Sequence, residues 1–581
     1  MRSVLKFLDR LHRDPVIIGG VGGSATRMVA GVIEEFGFAL PGQKNRALDC
    51  LWFTLLFKRP DWFERFPSVR ETDDAGWLLK QAFFLEDTEL RRQPFESRAR
   101  HLSERATRLG GVGIDDSVIE SLVSGGYRPR GPWAFKEPNT LVFLPRLLRV
   151  FPNLKYIHVM RHPLDMALSD NQQQCRNWSK IFNLSVAQCP SPEDALEYWL
   201  RVHQWLRRWS RPLLAREKML VVRVEDWWDS PARATEKLRR FLGTKDQLRL
   251  ESTKSIRSPE SRGRHTRALP GTFRRDQIQR IASEGYAPST RKPAITLRAN
   301  PSIPKLFMTM LVRDEEDILE PMIEYHLAQG VDHFVVTDNG SHDRTTAILE
   351  RFERRGVLTL FFQPPSDFSQ GEWVSKMTAW ITDHCNASWI IHADADEFLV
   401  ARGTSVGRWF SQRSTSENLV WLERHDFVCV RGAEPMRPDS ARYRKATSLN
   451  FRGRPHRPQS GVKISQGNHR VIGLKPCVEA SERLELFHYP LRSFSQFERK
   501  VRNTGSGYAA NTKLSKTTSI RKRVWYEMLQ NGTLAQEYKR QTVTDKELDD
   551  GLAAGTLLED RLLVDRLAEA KNDPTTRSSV S

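Results

Sequence analysis

Val16-Ile17-Ile18-Gly19-Gly20-Val21-Gly22-Gly23-Ser24-Ala25-Thr26-Arg27 reads as a buried strand, a glycine-rich loop and a helix start. A strand feeding such a loop exposes backbone N–H groups and the positive end of a helix, which together suit a phosphate. Ser24 and Thr26 add hydroxyl donors. The loop is not a Walker A motif, because no Gly-Lys-Ser/Thr closes it. Alone, it is explained nearly as well as a tight turn with no ligand.

Its partner lies further along the chain. Tyr156-Ile157-His158-Val159-Met160-Arg161-His162-Pro163-Leu164-Asp165-Met166-Ala167-Leu168-Ser169 reads as a strand with an Arg at its end and a helix opened by Pro163. Arg161 can fork onto a phosphate, and Ser169 is expected two turns into that helix. Around these segments, residues 14–285 alternate β-rich runs with long helical patterns, the habit of an α/β domain with a parallel sheet. Strands are expected at Pro15–Ile18, Leu154–Met160 and Met219–Val224, and helices over Pro192–Arg211 and Pro231–Leu242.

A Pro-, Ser- and Arg-rich stretch over 286–304 reads as a linker. The α/β pattern restarts at Leu306, with strands at Leu306–Leu311, His333–Thr337, near Leu358–Phe362 and at Trp389–Ala393, and a helix through Ile318–Gln329. This restart implies a second domain over 305–510, followed by a helical extension over 511–581 with a polar tail. Three acidic clusters stand at strand ends: Arg313-Asp314-Glu315-Glu316-Asp317, Asp338-Asn339-Gly340-Ser341 and His392-Ala393-Asp394-Ala395-Asp396-Glu397. Open α/β sheets bind ligands at the carboxyl ends of their strands. Two Asp separated by one residue can share Mg²⁺ or Mn²⁺ with a diphosphate.

The composition bounds the partners. Hydrophobic residues make up 39% of 581, as in a globular protein, and the formal charge of +19 points to an anionic partner. That charge admits a nucleotide, a polyanionic glycan or an anionic membrane surface. No RRM, KH, zinc-finger or basic-zipper pattern argues for nucleic acid. Six scattered cysteines without a CxxC fit reduced thiols better than a disulfide framework or zinc site. No signal-peptide core and no apolar run near the roughly 18 residues of a membrane span are seen, so a cytoplasmic protein is expected, with peripheral membrane contact through its basic surface.

The N-terminal motifs resemble the sulfotransferase family that uses 3′-phosphoadenosine 5′-phosphosulfate (PAPS). Phe135-Lys136-Glu137-Pro138, Val222-Arg223-Val224-Glu225-Asp226 and Ser261-Arg262-Gly263-Arg264 match further pieces of it. The resemblance implies a P-loop-like three-layer domain over 1–285. In it, Gly22, Gly23, Ser24, Ala25 and Thr26 hold the 5′-phosphosulfate and Arg161 and Ser169 hold the 3′-phosphate, with Arg262, Gly263 and Arg264 as further cofactor-binding residues. One departure stands out: Gly23 occupies the position at which the family usually carries a basic residue. Arg27 or Lys136 would then supply the charge that stabilises the transferred sulfuryl group, and Glu137 is the candidate base.

The acidic clusters, in this order, resemble GT-A glycosyltransferases of the family 2-like group, which implies a Rossmann-like second domain. By that resemblance Asp314 and Asp338 contact a nucleotide-sugar, and Asp394 and Asp396 bind Mn²⁺ or Mg²⁺. His488 could complete the metal or diphosphate site. Lys463, His469 and the run from Leu486 to Lys500 look like the group's closing region, with Glu423 and Asp426 as candidate bases. The combined reading is a bifunctional transferase acting on a glycan or glycolipid acceptor. Two rivals stand beside it: a glycosyltransferase whose first domain only binds nucleotide or acceptor, and a non-enzymatic polyanion-binding protein.

Overall fold

The computed structural model describes residues 14–84, 97, 131–187, 189–244, 258–259, 261–286, 305–364, 369–433, 435–451, 455–510 and 520–572. The start of the chain, nearly all of the expected linker and the polar tail lie outside the described residues. The chain divides into two compact units, Met1–His265 with Phe273–Pro288, and Thr266–Thr272 with Ser289–Ser581. Both are α/β, and each is built on a parallel sheet.

In the first unit, β1 (Val16–Gly20), β2 (Ala134–Lys136), β3 (Lys155–Met160) and β4 (Met219–Arg223) form a four-stranded sheet in the order β2-β1-β3-β4. All its pairings are parallel. β1 is buried at every position, as the Val-Ile-Ile run requires of a central strand covered on both faces. The chain leaves β1 to build neighbours on both sides, so a crevice opens at the carboxyl ends of β1 and β3. The helix Thr26–Glu35 begins there, with Ala25 in the left-handed region (φ 63°) after Gly23 (φ 90°). Gly20 is fixed sterically: a Cβ would lie 2.5 Å from the Val159 carbonyl and 2.6 Å from Ser24 Oγ. The helix Pro192–Ala215 runs past the expected end, with Pro212 inside it.

In the second unit, β5 (Leu306–Val312), β6 (His333–Asp338), β7 (Leu358–Phe362) and β8 (Trp389–His392) form a parallel sheet in the order β7-β6-β5-β8. Here β5 is the strand from which the order reverses. The acidic segments after β5, β6 and β8 therefore gather at one edge. A second, mixed sheet joins β9 (Glu397–Val400), Leu484–His488, β10 (Leu422–Asp426) and Leu449–Phe451. The helices of the C-terminal extension add Leu534, Tyr538, Leu563 and Leu567 to the same hydrophobic core.

Each unit buries a pair of facing histidines. His158 Nε2 lies 3.0 Å from His203 Nε2, and His203 Nδ1 donates to the Trp199 carbonyl at 2.7 Å. His392 Nε2 lies 3.1 Å from His456 Nε2, with Thr309 Oγ1 2.6 Å from His392 Nδ1 and the Arg457 carbonyl 2.8 Å from His456 Nδ1. Among the described residues, no helix is long and apolar enough to cross a membrane.

Candidate active sites

In the first unit, the β1 loop, the end of β3 and the 261–265 loop meet. Arg161 is 8% exposed, and its Nη2 donates to the Ser261 carbonyl at 3.0 Å and to Ser261 Oγ at 2.9 Å. Its Nη1 reaches the Gly23 carbonyl at 3.4 Å, while Nε has no partner. Among the described residues no carboxylate forms an ion pair with it. Its hydrogen-bond acceptors are all neutral and the Asp165 and Glu225 carboxylates act on it only through space, so a directly bound anion would complete the site. Ser24 Oγ, 1% exposed, is a second buried polar atom without a hydrogen-bond partner. Both atoms fit a phosphate ligand. Gly22 N–H donates to the side chain of Gln174.

The 261–265 loop is fixed by Asp165, which accepts from Gly263 N–H at 2.8 Å, His265 N–H at 2.9 Å and His265 Nδ1 at 2.6 Å. His162 stacks on His265 with centroids 3.8 Å apart. Arg262 pairs with Asp229 at 2.6 Å, and Arg264 donates to the Leu168 carbonyl at 2.8 Å. Ser169 lies beyond its helix, which ends at Ala167. The reason is local: Gln172 Nε2 caps the carbonyls of Met166 and Ser169 at 2.9 and 2.7 Å, so the chain turns there.

The candidate sulfuryl-transfer groups sit at the end of β2. Lys136 is buried and donates to the Ala47 carbonyl at 3.0 Å and to Asp49 at 2.5 Å, so its charge is already matched. Glu137, 1% exposed, accepts from Asn139 N–H at 2.6 Å and Asn139 Nδ2 at 2.7 Å, with Lys58 at 3.5 Å. Burial pushes its carboxyl above the usual range despite the nearby Lys58. Arg27 is exposed on the first turn of its helix.

In the second unit, a cleft is lined by Arg313, Glu315, Asn339, Gln370, Asp394, Asp396 and, from the helix Phe494–Ala510, Lys500, Asn503 and Thr504. Asp314 and Asp338 are not among the lining residues. Asp314 is in the left-handed region (φ 55°) and accepts from His342 N–H and Asn503 Nδ2, each at 2.7 Å. Asp338 accepts from Ser341 N–H and Oγ at 2.9 and 2.7 Å, and from Thr346 at 2.6 Å. Both carboxylates tie turns together, while their neighbours Arg313, Glu315 and Asn339 face the cleft.

Asp394 accepts from Gln370 at 3.2 Å and Asn468 at 3.1 Å. Asp396 is 1% exposed and takes Lys500 Nζ at 2.5 Å, with Arg492 Nη1 at 3.7 Å and His488 Nε2 at 3.8 Å. Burial alone would raise Asp396, but Lys500, His488 and Arg492 outweigh it and hold the carboxyl well below its usual range. His488 Nδ1 is bound to Asp426 at 2.7 Å. Glu423 lines a different cleft, with Arg402, His425 and Asp560. Lys463 and His469 are exposed.

Asp394, Asp396 and His488 do not converge as a set of three ligands. Among the described residues, the one triplet of His, Cys, Asp or Glu with ligand atoms within 4.8 Å of one another is His162, Asp165 and His265. An ammonium already occupies the Asp396 carboxylate, so the residues present do not fit the divalent ion that the resemblance implies. Lys500 and Arg492 belong to the run read as a closing region. Their place in the site carried one signal, the helical spacing of Gln496, Lys500, Asn503 and Thr504.

Residues 15–247 match the model of a sulfotransferase family, and residues 308–418 match that of glycosyltransferase family 92. The chain thus joins a sulfotransferase-like region to a glycosyltransferase-like one. Similar solved structures include sulfotransferase STF9 from Mycobacterium avium, at 14% identity over 49% of this chain and 79% of that chain, TM-score 0.25. The sulfotransferase domain of the Synechococcus PCC 7002 olefin synthase aligns at 15% identity over 47% of this chain and 96% of that chain, TM-score 0.26. S. aureus TarS 1-349 in complex with UDP aligns at 12% identity over 40% of this chain and 72% of that chain, TM-score 0.21. No curated protein matches the chain.

Proposed function

We propose that the protein is bifunctional, transferring a sulfuryl group from PAPS in its first unit and a sugar from a nucleotide-sugar in its second. A glycan or glycolipid is the acceptor class, and a sulfated glycan is the simplest shared product. The observation that carries the first half is the buried Arg161 beside the β1 loop, with neutral partners and an unpartnered Nε. In that site the acceptor oxygen forms a bond to sulfur as the sulfur–phosphate oxygen bond breaks, and Glu137 receives the acceptor proton. The second half rests on the acidic strand ends gathered around one cleft. A divalent ion is not required by this reading.

A second reading is favoured by one observation: Lys136 is neutralised by Asp49, and Gly23 offers no cation. In that reading the first unit binds the adenosine nucleotide without transferring sulfate. Turnover of radiolabelled PAPS, together with titration of 3′-phosphoadenosine 5′-phosphate, separates the two. In a screen of PAPS and several nucleotide-sugars on the intact chain, Arg161→Ala is expected to silence sulfuryl transfer alone and Asp394→Ala glycosyl transfer alone. Loss of both activities in either single variant would overturn the two-site reading.

A further inference from the structure

We propose that the Lys500 ammonium, backed by Arg492, takes the place of a divalent cation in the second unit's cleft and carries the charge of the leaving diphosphate. The inference rests on the glycosyl-transfer reading and deepens it. Three observations converge on it.

First, Lys500 sits at 2.5 Å on Asp396, the residue that the Asp-x-Asp pattern offers to a metal. A dication bound to the same carboxylate would meet this ammonium at close range, and like charges a few ångströms apart in a buried site repel strongly. Second, Lys500 is built into the wall by helix register. It lies three and four residues before Asn503 and Thr504 on one helix, and all three line the cleft. Third, Arg492 is 1% exposed, and its Nη1, 3.7 Å from Asp396, has no hydrogen-bond partner. Its other nitrogens are spent on Glu315 at 2.5 Å and Asp317 at 2.6 Å. The guanidinium lies behind Asp396 rather than in the cleft wall and adds its fixed charge there, while the Lys500 ammonium, on a side chain one-third exposed, lines the cleft where a phosphate oxygen would sit.

The chemistry assigns these groups a role at one moment. When the bond between the anomeric carbon and the diphosphate oxygen breaks, the bonding pair stays on that oxygen and the nucleoside diphosphate gains a negative charge. The anomeric carbon forms its new bond to the acceptor oxygen, whose proton passes to a carboxylate lining the cleft. Lys500 compensates the new charge on the phosphate, shifting part of its interaction away from Asp396.

The test is calorimetric titration of the full chain with UDP and GDP, in EDTA and in Mn²⁺, after elemental analysis has confirmed that the chelated protein is metal-free. The better-bound diphosphate is expected to keep its affinity in EDTA within about threefold. Lys500→Met, which keeps the length of the side chain, is expected to weaken binding by roughly ten- to a hundredfold, the span of one charge-assisted hydrogen bond. Lys500→Arg is expected to restore most of it. Binding that disappears in EDTA and returns with Mn²⁺ overturns the proposal while leaving the glycosyl-transfer reading intact. Unchanged affinity in Lys500→Met also overturns it. If neither diphosphate binds under either condition, the glycosyl-transfer reading fails and this inference with it. Should Lys500→Met fail to fold, the wild-type chelation result and Lys500→Arg decide the matter.

Discussion

At the scale of single residues, buried charge in the second unit's cleft is matched by neighbouring side chains rather than by solvent. Asp396 is held ionised by Lys500, His488 and Arg492 against its burial. Its folded-state pKa is depressed, so the stability it contributes is present above the usual carboxylate range and lost as pH falls through the folded value. Asp396→Asn leaves two cations facing a neutral amide, and chemical denaturation is expected to show a loss of about 3–5 kcal/mol. Glu137 behaves in the opposite sense. Burial raises its pKa, so it remains protonated above the normal carboxylate range and becomes a base only as pH rises through its raised value. If it receives the acceptor proton, the rate of sulfuryl transfer climbs with pH across that window, and Glu137→Gln removes the climb. An unchanged profile in the variant would exclude it as the base.

At the scale of elements, the strands were the most legible part of the sequence. β1, β3, β5, β6 and β8 are largely apolar, buried runs, and each appears within one or two residues of its expected bounds. Side-chain direction was less legible. Asp314 and Asp338 stand at the right strand ends, yet their oxygens are taken by Ser341, His342, Thr346 and, for Asp314, Asn503 from a distant helix, partners that the acidic pattern does not reveal. Ser169 was displaced from its helix by a glutamine three residues on. Lys500 was hidden because a lysine on an amphipathic helix usually faces water, and only the tertiary fold turns this one toward Asp396. That helix depends on a close approach: a Cβ on Gly505 would lie 2.5 Å from the Tyr526 side chain on the helix Ile520–Gln530. Gly505→Ala is expected to lower stability by about 1–3 kcal/mol through overpacking. It should also weaken nucleoside diphosphate binding, since Lys500 and Asn503 ride on the same helix. Thermal melts and titration check the two effects together.

At the scale of the whole molecule, the formal charge of +19 suits anionic ligands in general, and the salt dependence of binding separates surface from buried contacts. Surface charges act over roughly 8–10 Å at physiological ionic strength, whereas buried pairs are much less screened. Binding of a polyanionic glycan is therefore expected to fall steeply between low and physiological salt. Nucleotide affinity at Arg161 should change far less over the same range. Equal salt sensitivity for both ligands would place the acceptor in the same buried contacts as the nucleotide.

The facing histidines of each unit carry a consequence for protons. His203 spends its Nδ1 hydrogen on the Trp199 carbonyl, so its Nε2 is bare and the hydrogen between the two rings belongs to His158. In the other pair, His456 spends its Nδ1 hydrogen on the Arg457 carbonyl, and the shared hydrogen belongs to His392. Each pair thus has one tautomer that satisfies both contacts, and burial disfavours an additional proton on His158, His203 and His456. Burial depresses His158, and it holds His203 and His456 near pH 4. Unfolding in mild acid would release these imidazoles to take up protons, so stability falls as pH drops below the ordinary histidine range. The acid boundary of the fold is written twice, once in each unit, by rings that never meet solvent.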